Sequence, residues 1–250
     1  MSSQKKSNIR FTGRQWLKVA LLGCLGYYVS SYLDFFGLQF VSAGMERLIL
    51  FIYPTFVVLI SALWFKEKVN WRQGLALMIS YFGLVVAFIS EVKIQTRGNV
   101  FFIGSLGILA CAFTYAIYIV GSGKMIPSVG SVKFNSYAMS FASVGVLAHF
   151  FFNSEYSLFG LPGVVYGYAF FMAVISTVIP SYLVSVSLNR LRANNTAIIA
   201  SIGPVSTILQ AYYFLDEKVP ALQWLGTIFI VVGILMISWK SQKTNVPMEG

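Results

Sequence analysis

Charged residues are scarce in this sequence. Of its 250 residues only 10% are Asp, Glu, Lys or Arg, whereas 57% are hydrophobic, and the mean hydropathy is +0.75. A soluble domain usually carries about 25% charged residues, and a water-soluble fold of this size could not cover its surface with so few. The composition therefore excludes an ordinary soluble domain and indicates an integral membrane protein.

Histidine and cysteine are nearly absent as well. The single histidine is His149, and the two cysteines, Cys24 and Cys111, lie inside apolar runs. Neither cysteine has the spacing of a metal site or of a disulfide framework, and one histidine does not make a zinc or haem centre. No metal and no cofactor are therefore expected. A proton-relay role for His149 stays open.

Long charge-free runs recur along the whole chain. A helix that crosses lipid needs about 20 mostly apolar residues, and these runs lack the alternation of a membrane β-strand. Because backbone groups in lipid must bond within their own segment, the runs predict helices. Eight are predicted, over residues 15–37, 45–65, 72–90, 99–121, 133–152, 163–187, 194–214 and 220–239.

Lysine and arginine predict the orientation of these helices. An even number of helices places both termini on one side of the membrane. That side receives most of the 18 basic residues, namely Lys5, Lys6, Arg10, Arg14, Lys18, Lys66, Lys68, Arg72, Lys124, Lys133, Arg190, Arg192, Lys240 and Lys243. The opposite side receives Arg47, Lys93, Arg97 and Lys218. Both termini are therefore expected in the cytoplasm, with the chain spanning the plasma membrane several times.

The formal net charge of +10 is explained by this asymmetry. The basic residues are scattered in short loops and form no stripe, and no aromatic RNA-binding motif accompanies them. No nucleic-acid partner is expected. Contacts with anionic lipid headgroups of the bilayer are expected instead.

The chain resembles itself at a fixed offset of 150 residues. "YPTFVVLISALWFKEKV" at 53–69 matches "GPVSTILQAYYFLDEKV" at 203–219. The shared positions are Pro54 and Pro204, Glu67 and Glu217, Lys68 and Lys218, Val69 and Val219, Gly83 and Gly233, and Ser-Tyr-Leu at 31–33 and 181–183. This pattern predicts an internal repeat. Basic residues before the first apolar run would also fit a signal peptide, but its counterpart later in the chain favours a retained helix.

Each helix of the first repeat lies five helices before its counterpart, and an odd number inverts the orientation. Inverted repeats are the architecture of secondary transporters, whose substrate site lies near the middle of the membrane between the repeats. The predicted domains are a cytoplasmic segment 1–14, a partial first repeat of three helices at 15–90, a second repeat of five helices at 99–239, and a cytoplasmic tail 240–250.

Two stretches carry a family resemblance: "ERLILFIYPTFVVLISALWFKEKVNWRQGLALMISYFGLVVAF" and "NNTAIIASIGPVSTILQAYYFLDEKVPALQWLGTIFIVVGILMIS". They resemble the two copies of the EamA-type domain of the drug/metabolite transporter superfamily. The resemblance implies ten helices in two sets of five, cytoplasmic termini, and export or exchange of small metabolites, often coupled to an ion gradient. This sequence departs from that pattern because the first two helices have no counterpart. A non-transporting fragment, or a subunit completed by another chain or by a second copy, is therefore the alternative.

Ionisable groups within membrane spans are rare and costly. Tyr27, Ser30, Ser31 and Asp34 fall at helical spacing on one face of the first predicted helix, which suits a cavity. Asp34 lies about 27 Å from the cytoplasmic end of that helix at 1.5 Å per residue, so it could instead reach the outer interface. Both interpretations remain open.

Glu46 begins the second predicted helix at the outer face. It could attract cations or gate an entrance, or it could be a helix-start carboxylate favoured by the dipole, with Arg47 at the interface. Pro54 and Pro204 each free a backbone carbonyl and bend a helix, which points to the site or only to packing. Tyr53, next to the proline, is the aromatic side chain expected nearest the substrate.

The second half adds Ser181, Tyr182 and Tyr115, although Tyr115 and Tyr118 could serve packing alone. Small-residue pairs at 138/142 and 163/167 predict close helix packing. The cavity-lining candidates are Tyr27, Ser31, Asp34, Tyr53, Pro54, Tyr115, Ser181, Tyr182 and Pro204, and the gating or coupling candidates are Asp34 and Glu46. No catalytic or metal-binding residue is predicted.

These features favour a secondary transporter or exporter of small metabolites or drug-like compounds by alternating access. No ATP-binding P-loop is present, so an ion gradient or facilitated movement is expected. No lysine or arginine lies deep in a span, which favours neutral, zwitterionic or cationic amphipathic substrates over multiply charged anions. An intramembrane enzyme is not favoured, because neither paired aspartates nor an HExxH motif nor a Ser–His pairing is evident.

Overall fold

The computed structural model describes residues 11–66, 71–92, 98–153, 157–191, 193–200, 213 and 220–241. Within this part of the chain the regular structure is helical throughout. Four stretches in it are long and apolar enough to cross a membrane: Gly13–Leu38, Met45–Phe65, Asn99–Val129 and Gly163–Arg190. The protein is therefore an all-α integral membrane protein, as its composition predicts.

The described helices, in chain order, are α1 Gly13–Gly23, α2 Ser30–Leu38, α3 Ala43–Leu50, α4 Tyr53–Phe65, α5 Trp71–Val92, α6 Gly98–Val129, α7 Ser131–Asn153, α8 Gly163–Phe171, α9 Ile179–Arg190, α10 Ala193–Ala200 and α11 Ala221–Ser241. π-Helical turns, Cys24–Val29 and Met172–Val178, join α1 to α2 and α8 to α9. Most predicted helices thus recur with shifted ends. The second half of the seventh, including Pro204, lies outside the described residues.

The first membrane helix begins at a capping box. The Thr12 side chain accepts a hydrogen bond from the Gln15 amide at 3.4 Å, and the Gln15 side chain accepts one from the Thr12 amide at 2.9 Å. These bonds satisfy amides that the first turn of a helix leaves without partners. The π-helical turn at 24–29 then widens the helix by one residue per turn, which changes the face on which later side chains lie.

The second predicted helix is broken in two. The α-helical pattern is interrupted at Phe51 and Ile52, and Pro54 lies in the first turn of α4. Proline has no amide to donate and is tolerated in the first turn of a helix, so the break falls where the sequence predicts a bend. The α4 helix ends at Phe65, where Lys66 adopts a left-handed conformation with φ 53°. Glu67 and Glu217 lie outside the described residues.

Two apolar clusters form the core. One contains Val57, Ala116, Tyr118, Phe134 and Leu188 with their neighbours, and it joins α4, α6, α7 and α9. The other contains Val41, Met45, Leu48, Phe101, Ile108 and Ile230, and it joins α3, α6 and α11. The long helix α6 runs through both clusters. It continues to Val129 rather than ending at 121 as predicted, because Lys124 interrupts the apolar run but not the helix.

The most extensive helix contact in the described structure joins α5 to α11. The two approach closely at Gly83, where an added Cβ would lie 2.5 Å from the Gly226 carbonyl oxygen. Only glycine fits there. Gly23 plays the same part between α1 and α7, since its Cβ would lie within 2.3 Å of the Ala138 carbonyl oxygen. The predicted close packing at Ala138 is thus present.

Helix α8 is unlike the others, because none of its residues is buried. Phe170 and Tyr168 are 72% and 70% exposed. The second predicted small-residue seam, at Gly163 and Gly167, has no partner helix in the described part of the chain, since a Cβ at either position would meet nothing within 4 Å. An apolar face of this kind is compatible with lipid, or with another polypeptide that covers it.

Candidate functional site

A buried amide lies where four helical segments meet. The Asn135 side chain is fully buried. Its Oδ1 accepts hydrogen bonds from the hydroxyls of Tyr27 at 3.2 Å and Ser185 at 3.0 Å, and its Nδ2 donates to the Ser181 hydroxyl at 3.0 Å and faces the Met139 sulfur at 3.5 Å. Both acceptor positions and both amide hydrogens of Asn135 are therefore occupied.

A row of tyrosines extends from this amide. The hydroxyls of Tyr27 and Tyr118 are 2.9 Å apart, and Tyr118 is fully buried. Ring centroids are 5.8 Å apart between Tyr118 and Tyr115, and 5.4 Å apart between Tyr115 and Tyr53. The Tyr53 hydroxyl donates to the Ala197 carbonyl oxygen at 3.0 Å. This tyrosine row and the Asn135 network together form the candidate site.

Local backbone features position the site. Tyr27 lies inside the first π-helical turn, and the preceding Gly26 leaves room for the Tyr118 ring, whose Cγ would lie 2.3 Å from a Cβ at that position. Beyond the turn, Ser30 is buried and its hydroxyl donates to the Gly26 carbonyl at 2.5 Å, whereas Ser31 is exposed. Helical spacing alone groups both serines with Tyr27. Ser31 nevertheless faces outward and is not part of the Asn135 network.

Of the remaining uncharged candidates, all but Pro204 lie within the described residues. Ser181 belongs to the Asn135 network, and Tyr182 hydrogen-bonds the Ser136 hydroxyl at 2.5 Å on the adjacent position of α7. Pro54 is buried at the start of α4, next to Tyr53. Pro204 lies outside the described residues.

The acidic candidates form a second group, at the junction of α2 and α3. Glu46 has no exposed side-chain surface and pairs with Arg47, with Nε and Oε2 3.1 Å apart, while the Arg47 side chain is 41% exposed. The Asp34 carboxyl lies within hydrogen-bonding reach of Glu46, and its Oδ1 is buried and has no hydrogen-bond partner among the described residues. The Cys111 thiol lies close enough to both carboxyl groups to sense their charge.

Two residues outside the candidate set also make polar contacts. The Asn194 side chain accepts a hydrogen bond from the Ser61 hydroxyl at 3.3 Å. His149 Nδ1 lies 2.7 Å from the Tyr28 hydroxyl. Neither contact reaches the Asn135 network within the described residues.

Sequence reasoning missed Asn135 and Ser185, and it left Tyr118 as a packing residue. A signal for two of them was present: Ser181 and Ser185 are one helical turn apart, so they lie on one face, and an asparagine two residues after Lys133 is a polar group at the edge of an apolar run. Their meeting with Tyr27 depends on the packing of distant helices, which the spacing did not reveal.

The arrangement offers hydroxyl and amide groups, aromatic faces and no charge in the network itself. Such a site can hydrogen-bond and stack a small molecule but has no group to neutralise a strong anion. Among the described residues, no group of three or more His, Cys, Asp or Glu side chains is placed to hold a metal ion.

Comparison with known proteins identifies the family. The model of the EamA-like transporter family matches residues 2–89 and 102–239, which is most of the chain. The chain belongs to the EamA-like transporter family. It is a membrane transporter, in agreement with the family resemblance of its sequence.

Relatives of this EamA-like transporter include other transporters that are named without a substrate. It is 30% identical over 229 residues to the uncharacterized transporter YcbK of Bacillus subtilis (strain 168), covering 89% of this chain and 72% of that protein. It is 23% identical over 242 residues to YyaM of the same organism, covering 94% and 76%. An uncharacterized transporter of Archaeoglobus fulgidus is 26% identical over 212 residues, covering 85% and 72%.

A crystal structure matches this EamA-like transporter with a TM-score of 0.68 at 18% sequence identity, covering 95% of this chain and 80% of the other. At that identity the match concerns the fold alone: the fold of this chain has a counterpart among solved structures.

Proposed function

We propose that this protein is a secondary transporter that carries a small metabolite or drug-like compound across the plasma membrane by alternating access. The observation that supports this most strongly is the Asn135 network with its tyrosine row. It brings Tyr27 and Tyr53 of the predicted first repeat against Tyr115, Ser181 and other residues of the predicted second repeat. A polar site between inverted repeats is where secondary transporters bind their substrates.

The chemistry of the site supports a neutral, zwitterionic or cationic amphipathic substrate. Tyrosine rings offer stacking faces and cation–π contacts, and the serine and asparagine side chains offer hydrogen bonds. A multiply charged anion would find no lysine or arginine in the network. An aromatic or heterocyclic compound with a few hydrogen-bonding groups fits these side chains well.

The Asp34–Glu46 pair supports coupling to a proton gradient. Two ionised carboxylates offer only acceptors, so the contact between them is favourable only when one carries a proton. Arg47 balances one negative charge at the exposed edge of the pair, and the Cys111 thiol is a further titratable group near both carboxyls. Binding and release of this proton would link substrate movement to the gradient.

Transport by the purified protein tests the proposal. A thermal-shift screen of metabolites identifies ligands, and each ligand is then measured as uptake into proteoliposomes with and without an imposed pH gradient. We expect accumulation of at least one such ligand, abolished by substitutions in the Asn135 network. Ligands that stabilise the protein but never cross the liposome membrane would contradict transport.

The orientation is proposed on charge alone. The basic ends at Lys66, Lys133 and Arg190 favour the cytoplasmic side, which places both termini in the cytoplasm of a plasma-membrane protein. Anionic lipid headgroups would meet the same ends.

The bare helix α8 favours a second candidate: a subunit that transports only after another chain, or a second copy of this chain, covers that helix. Its large exposed side chains, among them Phe170 and Tyr168, would then pack against protein rather than lipid. The mass of the protein in lipid nanodiscs separates the two candidates. A monomer that transports supports the first, and a larger assembly that loses transport on dilution to monomer supports the second.

A further inference from the structure

Asn135 joins helices that come from the two predicted repeats. Its Oδ1 accepts from Tyr27, on the helix of the first repeat, and from Ser185 on α9, while its Nδ2 donates to Ser181 on α9. The segments that carry Tyr27 and Ser181 are related by the 150-residue offset. Asn135 therefore ties together two helices that must move relative to each other if the repeats alternate.

These contacts lie in one half of the membrane. Asn135 follows Lys133 by two residues, Ser185 precedes Arg190 by five, and Tyr118 precedes Lys124 by six. At 1.5 Å per residue they lie within about 9 Å of the positively charged ends of their helices, measured along the helix axes. The network thus lies near the positively charged side.

Other polar contacts also link the predicted repeats. The Tyr53 hydroxyl donates to the Ala197 carbonyl, and the Ser61 hydroxyl donates to Asn194. Each of those contacts is a single hydrogen bond between α4 and α10. Asn135 differs because it is fully buried and uses its whole hydrogen-bonding capacity on protein. A substrate would therefore have to displace a protein partner to bond it directly.

We propose that Asn135 is a positioning residue of the transport cycle: its saturated amide holds the positively charged side closed, and its bonds to Tyr27, Ser181 and Ser185 break when that side opens. The inference rests on alternating access as the proposed function. Loss of a buried amide that links both helices destabilises the closed state relative to the open one, because the open state has already given up those bonds.

Thiol accessibility tests this without a substrate. Cys24 and Cys111 are replaced by serine, and a reporter cysteine is placed at Ile60, which is 5% exposed in the core of the positively charged half. A second reporter is placed at Val41, 7% exposed in the other cluster. A membrane-impermeant maleimide is applied to each side of sealed vesicles, and the labelling rates are compared between variants.

The decisive variant is Asn135→Leu, which keeps the volume and removes every polar bond. We expect Ile60→Cys to label roughly five to thirty times faster from the positively charged side, the change that follows from losing one or two net hydrogen bonds. Val41→Cys should label no faster. The matched control is Ser140→Ala on the same helix, whose hydroxyl donates to the Ser136 carbonyl one turn away and, among the described residues, to no other helix. It should leave both rates unchanged.

Two results would overturn the proposal. Unchanged labelling of Ile60→Cys in a monodisperse Asn135→Leu protein means that the amide does not hold this side closed, and faster labelling of both reporters means general loosening. If Asn135→Leu does not fold, the double variant Ser181→Ala/Ser185→Ala decides by the same criteria. Because labelling needs no substrate, absence of transport would contradict the proposed function and leave this measurement standing.

Discussion

At the scale of single residues, the candidate site depends on uncharged polar side chains placed inside an apolar bundle. The aromatic candidates Tyr27, Tyr53 and Tyr115 lie together, and Tyr118 connects them to Asn135. Composition could indicate polar residues within spans but not which of them meet. Ser30 and Ser31 illustrate the reason, since they are adjacent in the sequence and yet Ser30 is buried and Ser31 is exposed.

Tyr27→Phe tests the contribution of one hydroxyl. It removes the bonds to Tyr118 and Asn135 and keeps the ring, so we expect a loss of about 0.5–1.5 kcal/mol in stability per bond and a clear fall in transport. Thermal unfolding in detergent and proteoliposome uptake measure the two effects. The control is Tyr168→Phe on α8, where the side chain is 70% exposed. Equal behaviour of the two variants would contradict a role for the Tyr27 hydroxyl.

Asp34→Asn tests proton coupling. The amide keeps the size of the side chain but cannot release a proton, so uptake driven by a pH gradient should be lost, whereas exchange of labelled for unlabelled substrate should persist. Both are measured in the same proteoliposomes. Accumulation that still follows the pH gradient in Asp34→Asn would show that the coupling group lies elsewhere.

At the scale of helices, the sequence predicts where membrane helices occur better than it predicts where they end or change geometry. The apolar runs located the membrane helices to within a few residues at most ends, and Pro54 marked the break that separates α3 from α4. The continuation of α6 to Val129 and the two π-helical turns were not predictable. Helix continuation past a charged residue, and an extra residue in one turn, depend on tertiary packing rather than on hydropathy.

The close contact between α5 and α11 requires glycine at one position of α5 and not at another. Gly83→Ala places a Cβ 2.5 Å from a carbonyl oxygen of α11, and overpacking of this kind costs about 1–3 kcal/mol. Gly74→Ala lies in the same helix, where a Cβ would meet nothing within 4 Å, and it should be neutral or stabilising because alanine favours the helix. Unfolding temperatures in detergent compare them. A Gly83→Ala protein as stable as Gly74→Ala would contradict this helix crossing.

At the scale of the whole molecule, family and fold class follow from the sequence, while the completeness of the bundle does not. The two matched segments of the family model cover most of the chain, and the described helices form one bundle around the Asn135 network. The exposure of every residue of α8 is seen only in the folded structure. The sequence could not predict it, because an apolar run that faces lipid and one that faces protein have the same composition.

Alternating access in this protein depends most on the two repeats having opposite orientations, since two balanced states follow from that inversion. Trp71 begins α5 and Ala221 begins α11, and the two positions are related by the 150-residue offset. Single cysteines at these positions are labelled with a membrane-impermeant maleimide in right-side-out and inside-out vesicles. Labelling of Trp71→Cys from the cytoplasmic side and of Ala221→Cys from the outside is the predicted result. Labelling of both from one side would contradict the inverted repeat.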